Sequence, residues 1–304
     1  MIKKLKLILC IIFFLYQTSA HSKTTDKKDF NYKYLSNYLS AIISQNNQNS
    51  KESIKYFNSS KILVNKHEKY LKKYVIALTI NGQVKKSINI IKENIDKNNT
   101  NFFEAKLLLL IDNFKRRKFE QNIELLKELK RYRDYNNYQY IIYEALKSYN
   151  DLFLKREIKL KSKKNLGTLS IINEAFQYCY LNKPEANLKF TNLINSVEGD
   201  YTRYAFFLLN NLIKNNDFEN AIQISKTINL LDSNLLIQQT KQWMDNSSFN
   251  KFRQFFSCQN EADILAEFFF LISNFLSVDK DFIKSNFFSN LSIYLNPKFY
   301  FNLT

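Results

Sequence analysis

Two segments of this chain carry the same pattern 34 residues apart. Ser53-Ile54-Lys55-Tyr56-Phe57-Asn58-Ser59-Ser60 is followed by Ser87-Ile88-Asn89-Ile90-Ile91-Lys92-Glu93-Asn94. Each copy has a small residue, an adjacent aliphatic, a bulky apolar residue four on, and a small or polar residue seven on. Each follows an amphipathic stretch that ends in a polar turn, at Asn47 or Gly82. A helix pair repeated at this period cannot bury its apolar face alone and must stack on its neighbour, so the spacing constrains the chain to a helical array. The small residue lets two antiparallel helices approach closely. The bulky residue one turn away lies on the same face and fills the adjoining groove.

The pattern returns along the chain. Arg117-Lys118-Phe119-Glu120-Gln121-Asn122-Ile123 carries it with one extra residue, and Asn216-Asp217-Phe218-Glu219-Asn220-Ala221-Ile222 carries it most fully. Phe282-Ile283-Lys284-Ser285, Ser292-Ile293 and Leu295-Asn296-Pro297 carry it a last time. This resembles the tetratricopeptide repeat, whose second helix opens with a turn, an aromatic and an Ala three on, often followed by Asn-Pro. Ser replaces that Ala at 53, 87 and 285, Asn stands there at 122, and the family's Leu-Gly pair in the first helix is missing. Segments 136–165 and 231–258 fit poorly. The resemblance implies an all-α solenoid of antiparallel pairs in a right-handed superhelix.

The 304 residues contain three Gly and two Pro, too few for a strand-and-turn fold and compatible with long unbroken helices. Helical spacing of apolar residues predicts pairs at 31–46 with 50–64, 68–81 with 84–95, and 101–115 with 119–132. Further pairs are predicted at 167–182 with 184–195, 200–214 with 218–230, and 261–277 with 281–294. Asn- and Lys-rich turns are expected to take the left-handed conformation that Gly usually supplies. Pro184 suits a helix's first turn, and soft joints are expected near 161–166 and 245–249.

Residues 1–20 have the order of a secretory signal peptide: a basic Lys3-Lys4-Leu5-Lys6, an apolar run from Leu7 to Tyr16, and small residues at Thr18-Ser19-Ala20. Cleavage is expected after Ala20, leaving a linker at 21–30 and the array at 31–304. Cys10 lies inside the apolar run with no small residues before it, which argues against lipidation. Leu265–Leu276 is short and contains Glu267 and Asn274, so it reads as a buried helix. After cleavage only Cys179 and Cys258 remain. An oxidising compartment permits their pairing, but the apolar setting of Cys179 favours the reading of a small core residue.

The formal net charge is +17, and it is unevenly placed. Residues 21–170 hold 31 Lys/Arg against 15 Asp/Glu, whereas residues 171–304 hold 11 against 13. Runs at Lys115–Lys118 and Lys155–Lys164 stand out. An anionic membrane surface or an acidic protein is the partner class that such asymmetry admits for an exported chain, with nucleic acid the least expected. Lys far outnumbers Arg, and a solvated basic face is the favoured reading.

No nucleophile, phosphate-loop or metal-ligand motif occurs, and the only histidines are His21 and His67. No cofactor or metal is expected. Glu124 and Glu128 read as a solvated helix face. The tyrosines Tyr32, Tyr34, Tyr38, Tyr70, Tyr74, Tyr138, Tyr140 and Tyr143 read as inter-helix packing; a glycan-stacking role would need them exposed in one stripe.

The family resemblance implies that first helices line a concave groove that binds peptides. That face would include Tyr38, Ile42, Lys72, Ile76, Leu107, Ile111, Phe206 and Asn210. Together these readings lead to an expected non-enzymatic, exported scaffold or adaptor of the periplasm or cell envelope; an accessory subunit of an envelope polysaccharide, peptidoglycan or secretion machine is the alternative. Lys298–Thr304 reads as the start of another first helix, so the chain is expected to be truncated or uncapped at its C-terminus.

Overall fold

The computed structural model describes residues 31–97, 99–132, 138–158, 167–196, 201–228 and 234–303. The expected signal peptide, the expected linker at 21–30 and the expected joint at 161–166 lie outside them. The described residues are helical and include no strand. The helices are α1 (Tyr32–Asn46), α2 (Ser50–Ser59), α3 (Tyr70–Ile80), α4 (Val84–Lys92), α5 (Phe103–Lys115), α6 (Asn122–Leu129), α7 (Tyr138–Lys155) and α8 (Thr168–Tyr180). They continue as α9 (Glu185–Ile194), α10 (Tyr204–Lys214), α11 (Phe218–Thr227), α12 (Leu235–Asp245), α13 (Asn250–Phe255), α14 (Glu261–Val278) and α15 (Phe282–Leu295). Short 3-10 turns extend α2 and α6 at Lys61–Asn65 and Lys130–Tyr132.

All six predicted pairs are present, and each first helix packs on its second. Within the segment 231–258, which fits the repeat poorly, α12 and the six-residue α13 form a shorter seventh pair that meets through Trp243 against Phe252 and Phe255, at 5.5 and 5.2 Å. The segment 136–165 supplies the single long helix α7, which packs against α6 and α8.

The turn inside each pair is built the same way. Gln48, Gly82, Arg117, Asn182, Asn216, Ser247 and Lys280 all have φ between 50° and 74°. The residue after each donates its backbone N–H to a carbonyl five residues back, as in Asn49→Ser44, Lys118→Asn113 and Asp281→Leu276, at 2.8–2.9 Å. This is a Schellman closure, which normally favours Gly. Only one of the seven positions is Gly, and two are the expected Asn.

The serines at the repeat's small position bind across their pairs. Ser53 Oγ donates to the Ala41 carbonyl at 2.9 Å, and Ser87 Oγ to the Val75 carbonyl at 3.2 Å. In the last pair Ser273 Oγ donates to the Ser285 carbonyl at 2.9 Å. Ser therefore keeps the close approach that Ala gives and adds a bond to the facing helix, whose carbonyl accepts it beside its own helical partner.

The core is aromatic. Phe176, Phe190, Phe206, Phe207, Phe252 and Phe256 are each fully buried, and their rings meet edge-on or stacked at 4.7–6.4 Å. Tyr38, Tyr70, Tyr74, Tyr140 and Tyr143 are buried too, so packing is what these tyrosines do.

The last pair does not simply extend the array. α15 packs on α3 and α4, and α14 on α5, more than 140 residues earlier in the chain. Polar contacts fasten it there. Asn290 Nδ2 donates to the Ile80 carbonyl at 2.9 Å, and Tyr294 O–H to Asp112 Oδ1 at 3.2 Å. Arg117 meets Glu261 at 3.0 Å, and Tyr180 O–H donates to the same carboxylate at 2.8 Å.

In place of the expected new first helix, residues after Pro297 form a 3-10 turn, Tyr300–Leu303. Phe299 and Phe301 are buried. Phe299 stacks on Phe206 at 5.4 Å, and Phe301 meets Trp243 and Phe255 at 6.1 and 5.9 Å.

The cysteines correct the sequence reading. Cys179 is a core residue, but it is also bonded to Cys258, with Cα atoms 5.6 Å apart. The bond ties the end of α8 to the loop that leads into α14. Seventy-nine residues separate the two positions, and their proximity arises only when the array returns on itself.

Candidate functional site

Of the eight residues expected to line an open groove, five are inaccessible. Tyr38 packs against Phe57, His67 and Tyr70 inside the first pairs. Leu107 and Ile111 are fully buried on α5, the helix that α14 packs against. Phe206 is covered by Phe252, Phe256 and Phe299, and Asn210 Nδ2 donates to the carbonyls of Phe252 and Phe256 at 3.0 and 3.1 Å. The chain's own α13, α14 and C-terminal turn fill this side. Ile42, Lys72 and Ile76 remain half-buried.

Lys72 and Ile76 line a cleft of about 280 Å³. Its walls come from distant parts of the sequence: the end of α1, one face of α3, the starts of α5 and α7, and the first turns of α15. Ile76, Phe103, Phe287 and Phe288 make the floor apolar. Tyr138 crosses it, edge-on to Phe103 at 6.1 Å and to Phe288 at 5.9 Å. Burial, with Glu104 and Asp281 nearby, pushes its phenol up to about 12.

Charge sits on the rim in two compensated pairs and one surplus. Lys72 Nζ lies 3.1 Å from Glu104, and Lys284 pairs with Asp281 while reaching over the Tyr138 ring at 5.2 Å. Lys73 is exposed and has no acidic partner among the described residues. Gln45, 8% exposed, lines the cleft at the end of α1. One Glu104 oxygen accepts no hydrogen bond despite its nearby lysine.

The basic run at 115–118 is largely used internally. Lys115 donates to the Tyr294 carbonyl and lies 4.0 Å from that ring's centre; Arg116 pairs with Asp112 at 3.1 Å; Arg117 pairs with Glu261. Asp112 also receives Lys92 at 2.6 Å, and these cations hold its carboxyl below the usual range against the opposing effect of burial. Of the run at 155–164, residues 159–164 lie outside the described residues, and Arg156 stacks 4.7 Å over Tyr180. Glu124 is exposed and pairs with Lys127, as a solvated face should.

Asp263, in the first turn of α14, accepts the Ser257 N–H at 2.9 Å. Burial raises its carboxyl to about 7. The folded chain therefore holds a proton that the unfolded chain, with a carboxyl near 4, releases. Stability from this group is present below about pH 4 and is lost as pH rises to about 7. Asp263→Asn keeps the acceptor without the charge. It should raise stability at pH 8 by roughly 2–4 kcal/mol, and the gain should vanish near pH 4 in urea titrations; an equal effect at both pH values would contradict this account.

Among the described residues no group of three or more His, Cys, Asp or Glu could hold a metal ion, and no helix is long and apolar enough to cross a membrane. Comparison with family models, with curated proteins and with solved structures finds no match for the chain.

Proposed function

We propose that this chain is an exported, non-enzymatic scaffold of the cell envelope that binds a protein partner. Its repeats are of tetratricopeptide type, a reading supported by seven pair turns of one construction and by the cross-pair serines. The observation that carries the binding role is the cleft itself: an apolar floor and a charged rim, assembled from five helices. Binding sites commonly join an apolar lining to a few convergent polar groups. Its position differs from the implied groove, because the last pair and the C-terminal turn occupy much of that side. Glycan binding is less well supported, since most of the tyrosines are buried rather than set in an exposed stripe.

Export is supported by the Cys179–Cys258 bond, since such bonds persist in oxidising compartments. The mature chain should begin near His21 and carry no free thiol, because Cys10 leaves with the leader. Envelope-fraction protein, isolated under a thiol-blocking reagent and sequenced from its N-terminus, tests both points. Recovery of an intact Met1 with Cys179 alkylated would overturn the location. For the binding role, Ile76→Glu should abolish capture of an envelope partner that the wild-type chain retains, with helix content unchanged.

A further inference from the structure

We propose that α1 docks this chain on an anionic membrane surface, laying its apolar outer face into the lipid interface beside a row of lysines. The inference goes beyond the protein-binding reading and uses no residue of the cleft floor.

α1 has the wrong outer face for the end of an array. A terminal helix should turn polar residues outward, because nothing stacks on it. α2 and α4 do so, with Lys51 and Lys55 on one and Lys85, Lys86 and Asn89 on the other. α1 instead carries one charge, Lys33, in 15 residues. Tyr32, Leu39 and Ile43 are 71%, 51% and 61% exposed, and Leu35 and Ile42 beside them are half-buried. At helical spacing these five residues fall on one stripe.

The 34-residue register says why the stripe is bare and what lies next to it. Ile43 stands where Ala77 stands on α3, and Ala77 is buried in the cluster that the first pair supplies. No earlier pair among the described residues covers Ile43 in the same way. Leu35 and Leu39 stand where Lys69 and Lys73 stand on α3. The two helices lie side by side: Tyr38 meets Tyr70 at 5.4 Å, and Lys73 borders the cleft together with Gln45 and Asn46 of α1. The apolar row of one helix therefore runs beside the cationic row of the next. Lys33, Lys69 and Lys73 are exposed and pair with no acid among the described residues. Residues 31–73 hold eight Lys against Glu52 and Glu68, a net of +6.

Charge and shape decide what covers such a stripe. The expected linker from His21 to Phe30 offers one apolar side chain, Phe30. A second copy, stripe to stripe, would set the lysine rows against each other. One helix about 22 Å long presents far less than the roughly 800 Å² per partner of a stable dimer. An anionic bilayer meets both features at once. An amphipathic helix sinks its apolar side into the boundary of headgroups and acyl chains, and flanking lysines meet the lipid phosphates. Leu39 and Ile43 project from the helix, so they suit a medium that closes round them better than a rigid acidic protein.

The test is flotation of oxidised residues 21–304, which hold every described element and lack the apolar leader. The vesicles are phosphatidylcholine alone, or phosphatidylcholine and phosphatidylglycerol in equal amounts. The chain should float with the mixed vesicles only, and less so as salt rises. Leu39→Ser/Ile43→Ser, at two exposed sites, should weaken binding about tenfold or more. Lys69→Ala/Lys73→Ala should weaken it about 25-fold, at about fivefold per lysine. Both variants should keep the helix content and urea midpoint of the unaltered chain. Ile43→Trp should gain emission that shifts to the blue with mixed vesicles and is quenched by brominated lipid; Trp243, buried in the core, should not respond. Equal binding to both vesicles, binding to neither, or binding indifferent to Leu39→Ser/Ile43→Ser would overturn the inference. A dimer split by that double variant, with vesicles unbound, would assign the stripe to a second copy instead. An acidic envelope protein lost on that variant, with vesicles unbound, would assign it to a protein.

Discussion

Glu267→Ala is expected to cost the fold about 3–5 kcal/mol. Glu267 is completely buried in α14, and Arg203 grips it with two bonds, from Nε and one terminal nitrogen, each 2.8 Å long. The same guanidinium lies 4.1 Å from the Phe270 ring centre and 5.5 Å from that of Phe299. It thus joins the start of α10, the last pair and the C-terminal turn. Removing the carboxylate leaves a charge in a nearly dry site, and that penalty exceeds the net worth of the pair. Arg203→Ala should cost about as much, since it strands Glu267 and uncovers two rings. Joint replacement of Glu267 and Arg203 by Leu and Met should recover most of the loss, because the pair's own desolvation disappears with it. Urea unfolding of the four proteins at pH 7 decides the matter. A single mutant within about 1 kcal/mol of wild type would mean that water reaches the site and screens it.

The pairs were legible because helical spacing and a small residue at a fixed position are local properties. Ser53, Ser87 and Ala221 announce where a second helix meets its partner, whatever lies beyond. The turns were half-legible. Asn182 and Asn216 tolerate a left-handed backbone by nature, but Arg117 and Lys280 do so only because the pair forces it. The groove could not be read correctly from sequence, for a physical reason. An inner face that binds a peptide and one that binds the chain's own last pair both need apolar residues such as Leu107, Ile111 and Phe206. Only the fold says which covers them. The run at Lys115–Lys118 misleads in the same way: its partners Glu261 and Tyr294 are more than 140 residues away. In the cleft, Lys72 and Ile76 follow from repeat position. Gln45, Lys73, Glu104 and Lys284 do not, since no one repeat contains the hollow they share.

Opening the Cys179–Cys258 bond should lower stability by about 2–4 kcal/mol, and the loss should be uneven. The bond closes a loop across 79 residues, for which chain entropy alone gives roughly 4–5 kcal/mol, with the partition between entropy and solvation depending on the model. Where the loss falls follows from what the bond joins. Cys258 stands two residues before Asn260, which caps α14 through the Ala262 and Asp263 N–H groups at 2.9 and 3.2 Å. Gln259, beside it, donates to the Cys179 carbonyl at 2.8 Å. The covalent tie therefore fixes the entry of the last pair against α8. Without it that entry is held by Gln259, Glu261 and the aromatic contacts of Phe256. α1 to α3 carry their own cluster around Phe57, Tyr70 and Tyr74, and should keep their protection. Hydrogen exchange of the Cys179→Ala/Cys258→Ala chain should then show faster exchange across 250–303 and unchanged exchange across 50–80. Uniform acceleration along the whole chain would show instead that the last pair unfolds only with everything else, so that it is the keystone of one cooperative unit and not a separately held closure.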